Sequence, residues 1–241
     1  MSSGSDFLLR TVGHVVLLSQ VARGPSGTIY TALGPRAPED FKKPLGLRPV
    51  EVSSACSVYI VKECLRHKGY DYVLERELEC HEAVSGHEGV VKLHQTIMDE
   101  TALYLIMVSL SYVHECDREQ ADRIHHRIKE YCPEGDLFTS IDKNLAFYQH
   151  NPDHTKYLIL QLLAVVEHCH RNNVFHRDLK TENILLRDCG TRVLLADFGL
   201  STRQEYSIEF GTGSDPYMSP GQSTVDGNEA KPYNGGFLCT R

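Results

Sequence analysis

The chain has 241 residues and a formal net charge of −7, with 25 Lys and Arg against 32 Asp and Glu. This mildly acidic balance argues against a nucleic-acid partner. No apolar run reaches the length of a membrane span, and the N-terminus lacks a basic region before an apolar run, so neither a membrane segment nor a signal peptide is predicted. Eight scattered cysteines without a C-x-x-C pair predict free thiols and a cytoplasmic or nuclear location.

The first hundred residues have the pattern of short strands. Residues 15–21 form an apolar run, residues 24–27 (GPSG) have the composition of a turn, and residues 28–33 read as the returning strand. Further strands are predicted at residues 57–62, 90–97 and 103–107, and a helix at residues 70–84. These elements predict a small sheet-rich lobe with one helix.

Beyond residue 130 the pattern changes to helix. Asn151 is predicted to be an N-cap, and Pro152 suits the first helical turn. Residues 157–166 are apolar nearly all round, whereas a surface helix would show a single apolar stripe, so this helix is predicted to be buried in a second lobe. Residues 221–241 are polar and Gly-rich without periodicity, and they are predicted to be disordered.

Two motifs follow one another in this second half of the chain. The first is residues 175–183 (FHRDLKTEN), and fourteen residues after its end comes the triplet at residues 197–199 (DFG). In this order and spacing they resemble the catalytic loop and the metal-binding triplet of protein kinases. Residues 10–220 as a whole resemble a protein kinase domain.

The resemblance implies a function and a set of catalytic residues. The implied reaction is transfer of the γ-phosphoryl group of ATP, which depends on positioning and on neutralisation of phosphate charge. Asp178 would accept the proton of the substrate hydroxyl, and Lys180 would lie near the transferred phosphoryl group. Asn183 and Asp197 would hold Mg²⁺ through hard oxygen atoms.

Two further features refine the resemblance. Lys180 is similar to the residue found in serine/threonine kinases rather than tyrosine kinases. Residues 211–220 (GTGSDPYMSP) resemble fungal kinases of the nutrient- and meiosis-regulating group. Because residues 214–220 resemble a protein-docking loop, a metabolic kinase acting on small molecules is disfavoured. Protein substrates and a role in signalling are therefore expected, and the oligomeric state is left open.

The nucleotide-binding residues implied by the resemblance lie in both halves of the chain. Residues 22–29 (ARGPSGTI) stand in the place of the glycine-rich loop, with an alanine at the first glycine position. Lys62 would grip the phosphates, and Glu77 is the predicted ion-pair partner of Lys62, with Glu75 and Glu79 as rivals. The predicted ATP-binding set is Gly24, Gly27, Ile29, Lys62, Glu77, Glu130, Cys132 and Asp136.

Two departures from the family stand out. Residues 108–129 separate two halves of the hinge, whose backbone at Glu130 and Cys132 would bind the adenine edge and whose Asp136 would reach the ribose. This insert is interpreted either as a retained intron, since its removal restores a continuous hinge, or as a surface loop. After residue 220 nothing resembles the family, so the second lobe is predicted to be incomplete and its long apolar helix partly exposed.

The predicted fold class is α+β, a two-lobed protein kinase-like fold with ATP and Mg²⁺ in the cleft. The predicted domains are a β-rich N-lobe at 10–107, the insert at 108–129, a partial C-lobe at 130–220 and a disordered tail at 221–241. The predicted function is that of a serine/threonine protein kinase. The alternative is a catalytically dead, truncated kinase-like binding or scaffold protein. The intact Lys62, Asp178, Asn183 and Asp197 argue against it, whereas the insert and the incomplete second lobe argue for it.

Overall fold

The chain divides into two units. The computed structural model describes residues 10–35, 55–67, 71–107, 112–114, 135–209, 211–218 and 233–234. Of these, residues 10–35, 55–67, 92–107 and 112–114 belong to the first unit, and the others belong to the second. Glu130, Cys132, most of the predicted insert and most of the predicted tail lie outside the described residues.

The first unit is an antiparallel sheet. Its strands are β1 (Arg10–Val12), β2 (Val15–Gly24), β3 (Gly27–Pro35), β4 (Ala55–Leu65), β5 (Leu93–Met98), β6 (Ala102–Met107) and β7 (Tyr112–His114). The sheet order is β1-β2-β3-β4-β6-β5, and β7, which lies within the predicted insert, also pairs with β4. The predicted strands are therefore present, although β5 begins at Leu93 because Val90 pairs instead with Leu195 in the second unit.

One face of this sheet forms the core of the first unit. Side chains on a strand alternate between the two faces, so apolar residues two apart meet on the same side. The buried cluster on this face comprises Val12, Val15, Leu17, Tyr30, Ala32, Tyr59, Val61, Ala102, Tyr104 and Ile106. Lys62, next to Val61, therefore points to the opposite face, where Ile29 of β3 and Leu105 of β6 are its cross-strand neighbours.

A buried carboxylate interrupts the apolar face. Glu63 of β4 is only 6% exposed, and it accepts a hydrogen bond from the Tyr30 hydroxyl at 3.0 Å. Arg10 forms an ion pair with the same carboxylate, and the Arg10 guanidinium carbon lies 5.4 Å from the centre of the Tyr104 ring. The charge of Glu63 is thus compensated within the sheet, as a buried carboxylate requires.

The helices of the described residues lie in the second unit. These are α1 (Asp71–Val84), α2 (Leu137–Lys143), α3 (Leu145–His150) and α4 (Pro152–Arg171). The short strands β8 (Ile184–Arg187) and β9 (Arg192–Leu195) form one antiparallel pair, and β10 (Tyr206–Ser207) and β11 (Tyr233–Asn234) form another. β11 lies within the tail predicted to be disordered. Within the described part of the chain, no helix has the length and apolar character needed to cross a membrane.

The core of the second unit joins α1 to α4. Cys80 and Val84 of α1 pack with Val165 and Cys169 of α4, and Phe198 is fully buried in the same cluster. This packing explains why α1 groups with the second unit, although the predicted N-lobe of residues 10–107 includes it. Phe198 follows Asp197 directly, so the core also anchors the predicted metal-binding triplet.

The long helix α4 agrees with its predictions only in part. Leu158, Val165, Val166 and Cys169 are buried, but the opposite face, including Leu160 at 53% exposure, is open to solvent. The prediction of burial all round is therefore wrong for the described residues, whereas the partial exposure predicted from the incomplete second lobe agrees with them. Pro152 begins the helix and Asn151 occupies the N-cap position, as predicted. The Asn151 side chain makes no capping bond, however, and its amide donates instead to the Phe147 carbonyl at 2.8 Å.

The Glu63 network generates a stability prediction. Tyr30→Phe removes one hydrogen bond to a buried carboxylate, so we expect the free energy of unfolding to fall by roughly 1–3 kcal/mol. Urea denaturation followed by circular dichroism measures the change. Tyr157→Phe on the exposed face of α4 is the matched control, with an expected change within about 0.5 kcal/mol. Equal stability of Tyr30→Phe and the wild type would show that the bond makes no net contribution.

Candidate active site

The candidate catalytic loop runs from the end of α4 to β8. Backbone hydrogen bonds between Phe175 and Thr202, at 2.9 and 3.0 Å, fix its start. A 3-10 turn at Thr181–Asn183 leads into β8. Arg177 has a φ of +64°, and Asp197 has a φ of +61°, a backbone region that non-glycine residues seldom occupy. Such conformations persist where the surrounding contacts fix them, as they do at both of these residues.

Asp178 is the centre of a hydrogen-bonded cluster. Its side chain is 7% exposed. Oδ2 accepts hydrogen bonds from Lys180 Nζ at 2.8 Å and from Asn183 Nδ2 at 3.0 Å. Oδ1 accepts one from Ser214 Oγ at 2.9 Å. Three donors from three positions thus hold both carboxylate oxygens in one orientation.

Ser214 is a member of this cluster that the sequence did not reveal. Besides contacting Asp178, its hydroxyl oxygen accepts a hydrogen bond from Lys180 Nζ at 2.9 Å. Ser214 lies 36 residues after Asp178 in the chain, and the sequence placed it only within a docking segment. Lys180 therefore bridges the carboxylate and the hydroxyl, and the three side chains form a closed triangle.

The two candidate metal ligands are linked through the backbone next to Asp197. The Ala196 amide donates to the Asn183 carbonyl at 2.9 Å, which places Asn183 beside the residue preceding Asp197. Asn183 Nδ2 donates to both the backbone and the carboxylate of Asp178, so its amide oxygen faces away from that residue. Gly199 N donates to Asp197 Oδ1 at 3.3 Å.

This donor set fits a divalent cation. Amide and carboxylate oxygens are hard ligands, and Mg²⁺ in particular is commonly bound through one or two protein oxygens together with substrate phosphates. Among the described residues no group of three or more His, Cys, Asp and Glu forms a metal cage. Asn183 and Asp197 supply one amide oxygen and one carboxylate of this kind.

His176 lies next to the cluster and contacts the backbone of Asp178 and of Ala196. The backbone amide of Asp178 donates a hydrogen bond to His176 Nδ1 at 3.3 Å, so Nδ1 carries no proton. The proton of the neutral ring is therefore on Nε2, which donates to the Ala196 carbonyl at 3.0 Å. Phe198 lies between His176 and His81, with ring centres 5.0 and 4.8 Å away. Burial lowers the pKa of His176, because the charged imidazolium loses its hydration.

The candidate nucleotide-binding residues of the first unit lie on the β2–β3 hairpin and β4. Gly27 has a φ of +140°, and a Cβ there would approach the Glu63 carbonyl oxygen to 2.5 Å, so only glycine fits without displacement. At Gly24 a Cβ would meet no atom within 4 Å. Ile29 is the cross-strand partner of Lys62, which is 4% exposed. Of the two predicted glycines in this hairpin, Gly27 is thus required by its conformation and surroundings, and Gly24 is not.

The second unit contains the other described candidates, Glu77 and Asp136. Glu77 is 3% exposed on α1, whereas the rival Glu75 is exposed and Glu79 lies 3.5 Å from Arg203. Burial therefore favours Glu77 over its rivals as the ion-pair partner. The pairing with Lys62, which belongs to the other unit, stays a prediction. Asp136 is the N-cap of α2, and its carboxylate accepts hydrogen bonds from the amide and hydroxyl of Thr139 at 2.7 and 3.0 Å.

The position of His176 generates a prediction about pH. The pKa of His176 is lower in the folded chain than its usual value of about 6.5. As the pH falls, the unfolded chain therefore becomes protonated at this histidine at a higher pH than the folded chain does. The free energy of unfolding should therefore decrease as the pH falls below about 6.5, with a contribution of at most about 1.4 kcal/mol per pH unit.

The test compares urea unfolding between pH 7.5 and 5. In His176→Gln the amide retains a donor toward the Ala196 carbonyl, and we expect a smaller dependence of stability on pH than in the wild type. The same substitution at His150, an exposed residue of α3, controls for the loss of an imidazole. Identical slopes in His176→Gln and the wild type would contradict the prediction.

Comparison with known proteins identifies the family. Residues 52–231 match the protein kinase domain. The chain is 41% identical over 60% of its length to the "Negative regulator of sexual conjugation and meiosis" of Schizosaccharomyces pombe, covering 26% of that protein. It is 31% identical over 72% of its length to the "Serine/threonine-protein kinase ksp1" of the same yeast, covering 33% of it. It is 34% identical over 60% of its length to the "Serine/threonine-protein kinase SKS1" of Saccharomyces cerevisiae, covering 24% of it.

The chain therefore spans about a quarter to a third of the length of these relatives. Their names confirm the predicted resemblance to fungal serine/threonine kinases, and the match confirms the predicted α+β kinase fold. Protein kinase domains in general use ATP and a divalent metal. Since the match covers well over half of its residues, this chain belongs to the protein kinase domain family.

Proposed function

We propose that the chain is the catalytic part of a serine/threonine protein kinase, which transfers the γ-phosphoryl group of ATP to Ser or Thr side chains of proteins. The observation that carries this proposal is the cluster around Asp178, in which Lys180, Asn183 and Ser214 hold a buried carboxylate through both of its oxygens. General base catalysis requires such a positioned proton acceptor.

Each residue of the cluster has a role in the proposed reaction. Asp178 accepts the proton of the substrate hydroxyl as that oxygen attacks phosphorus. Lys180 has three N–H donors, of which two go to Asp178 and Ser214, so the third suits an oxygen of the transferred phosphoryl group. Ser214 keeps Asp178 in the required rotamer. This arrangement relies on positioning and on charge, which are the main contributions of a protein to phosphoryl transfer.

The proposed cofactors are ATP and Mg²⁺. When bound, the cation neutralises phosphate charge, and Asn183 and Asp197 are the residues that would hold it. For the nucleotide, we propose contacts from Gly24, Gly27, Ile29 and Lys62 of the first unit and from Glu77 and Asp136 of the second. The hinge residues Glu130 and Cys132 complete the proposed set.

The proposed substrates are proteins. This part of the proposal is supported by the relatives whose names describe them as serine/threonine-protein kinases. Lys180 also supports it, because this residue is similar to the one found in serine/threonine kinases rather than tyrosine kinases. A role in fungal signalling is a further part of the proposal, supported by the relatives from two yeasts described above. A cytoplasmic or nuclear location is also part of the proposal.

Asp178→Asn tests the proposed base. The amide cannot accept the hydroxyl proton, so we expect phosphotransfer from radiolabelled ATP to a Ser/Thr peptide library to fall by at least about 100-fold. ATP affinity, measured by calorimetry, should stay within about threefold because the base acts on the hydroxyl rather than on the nucleotide. Near-normal turnover in this variant would refute the assignment of Asp178.

A matched control is available on the β8–β9 turn. Asp188 has a half-exposed side chain and a φ of +56°, which asparagine tolerates. Asp188→Asn should therefore leave turnover unchanged. Nucleotide binding without any turnover in the wild type would instead support the non-catalytic alternative.

Asp197→Asn tests the proposed metal ligand. The substitution keeps a residue that accepts the positive φ and retains an oxygen for the Gly199 amide, but it removes the carboxylate charge. We expect ATP affinity in the presence of Mg²⁺ to fall by about tenfold or more, while affinity in EDTA changes little. Equal losses with and without Mg²⁺ would show that Asp197 acts on the nucleotide or the fold rather than on the metal.

A further inference from the structure

The tail of the chain returns to the segment that follows the candidate metal-binding triplet. Its strand β11 pairs with β10 in antiparallel register, with Tyr206 opposite Asn234 and Ser207 opposite Tyr233. β11 lies beyond residue 231, where the match to the protein kinase domain ends. This contact therefore joins the candidate catalytic region to a part of the chain that lies outside the family match.

The tail sequence explains why β11 is only two residues long. Pro232 precedes the strand and has no N–H group, so the ladder gains no hydrogen-bond donor at that end. Gly235 and Gly236 follow the strand, and the Asn-Gly pair formed with Asn234 is typical of turns. The tail therefore favours a short extended stretch between two breakers, although its composition as a whole predicted disorder.

β10 lies in the middle of a loop that is fixed at both ends. At the start of the loop, Phe175 and Thr202 exchange backbone hydrogen bonds at 2.9 and 3.0 Å. At its end, the Ser214 hydroxyl donates to the Asp178 carboxylate at 2.9 Å. Among the described residues of the connecting stretch 203–213, backbone pairing with another element is found at β10 alone. β11 therefore supplies the backbone partner for the middle of this loop.

Side chains connect β10 to the candidate catalytic loop. Ser207 is 3% exposed, and its hydroxyl accepts hydrogen bonds from the Arg177 guanidinium and from the Glu209 amide, both at 3.1 Å. Its neighbours Tyr206 and Ile208 are 59% and 69% exposed, as expected for alternating side chains on an extended segment. The position of β10 is thus linked to Arg177, the residue before the candidate base.

We propose that the tail is an intramolecular strap, in which β11 adds a backbone strand to β10 and thereby positions the loop between Thr202 and Ser214 against the candidate catalytic loop. Strand addition of this kind depends on main-chain hydrogen bonds rather than on the identity of the side chains. The inference rests on the proposed phosphotransfer activity for its effect on rate. It does not rest on that activity for its effect on structure.

Hydrogen exchange tests the structural effect in the full chain. Tyr233→Pro combined with Asn234→Pro removes both N–H donors of β11, whereas Tyr233→Ala combined with Asn234→Ala keeps them and is the matched control. We expect amides of residues 203–209 to exchange about three- to tenfold faster in the proline variant, as for the loss of one or two hydrogen bonds, and at the wild-type rate in the alanine variant. Equal exchange in all three chains, or equal acceleration in both variants, would overturn the inference.

Peptide phosphorylation gives the direction of the effect on rate. We expect kcat to fall by about three- to tenfold in the proline variant, with a smaller change in KM for ATP, since the loss acts through the loop that ends at Ser214. An unchanged kcat in an active chain would overturn the inference. An increased kcat would overturn it too, and would show that the tail blocks the site. Faster exchange in a chain without phosphotransfer would uphold the strap and refute the proposed function.

A cross-link tests the pairing even if the proline variant fails to fold. Residues directly opposite in an antiparallel ladder have Cβ atoms about 4.5–5.5 Å apart, close to the spacing of a disulfide. Tyr206→Cys combined with Asn234→Cys should therefore form a disulfide on oxidation, identified by mass spectrometry, and kcat should be the same before and after reduction.

Tyr206→Cys alone is the control for this cross-link. The tail then offers only the native Cys239, five residues after Asn234, and we expect much less disulfide between residues 206 and 239. Absence of the disulfide between residues 206 and 234, or an equal yield in the control, would overturn the pairing. A loss of kcat on oxidation that reduction reverses would overturn the positioning role.

Discussion

The arrangement of the candidate site follows from the cost of burying charge. Ionised side chains lose several kcal/mol of hydration on burial unless partners compensate them. Arg177 and Asp178 are adjacent in the chain and both are about 6% exposed, so each must find an opposite charge. Arg177 finds Glu209, and Asp178 finds Lys180. The contacts of Arg177 with Glu209 and of Asp178 with Ser214 hold the segment after Phe198 against the candidate catalytic loop.

Apolar packing complements this electrostatic constraint. Phe198 is fully buried among residues of α1, α4 and β9, and its ring lies between those of His81 and His176. A side chain fixed in this way also fixes its neighbour Asp197. His176 in turn accepts a hydrogen bond from the backbone amide of Asp178, so one aromatic cluster positions both the candidate base and a candidate metal ligand. The neutral state of His176 is part of this arrangement, because its Nδ1 must accept.

Much of the fold was predictable because its elements have local patterns. An apolar run before a turn of Gly and Pro residues predicted the hairpin, and the spacing of Asp178, Asn183 and Asp197 marked the candidate catalytic segment. Contacts between distant residues leave no such pattern. Ser214 and Glu209 could be located only in three dimensions, since nothing near them in sequence marks their partners. Apolar composition alone predicted burial of α4 all round, which is wrong because composition does not show which face a neighbour covers. Its partial exposure was predicted instead from the unmatched end of the second lobe.

The two adjacent charges also explain the unusual backbone at Arg177. With an ordinary φ, consecutive side chains of an extended loop would point in directions set by the strand pleat. The φ of +64° at Arg177 instead lets its guanidinium reach Glu209 and Leu200, while Asp178 reaches Lys180 and Ser214. Strain of this kind costs of order 1–3 kcal/mol and persists where contacts on both sides outweigh it. The ion pair at Glu209 is therefore one of the interactions that hold the strained loop in the conformation that orients Asp178.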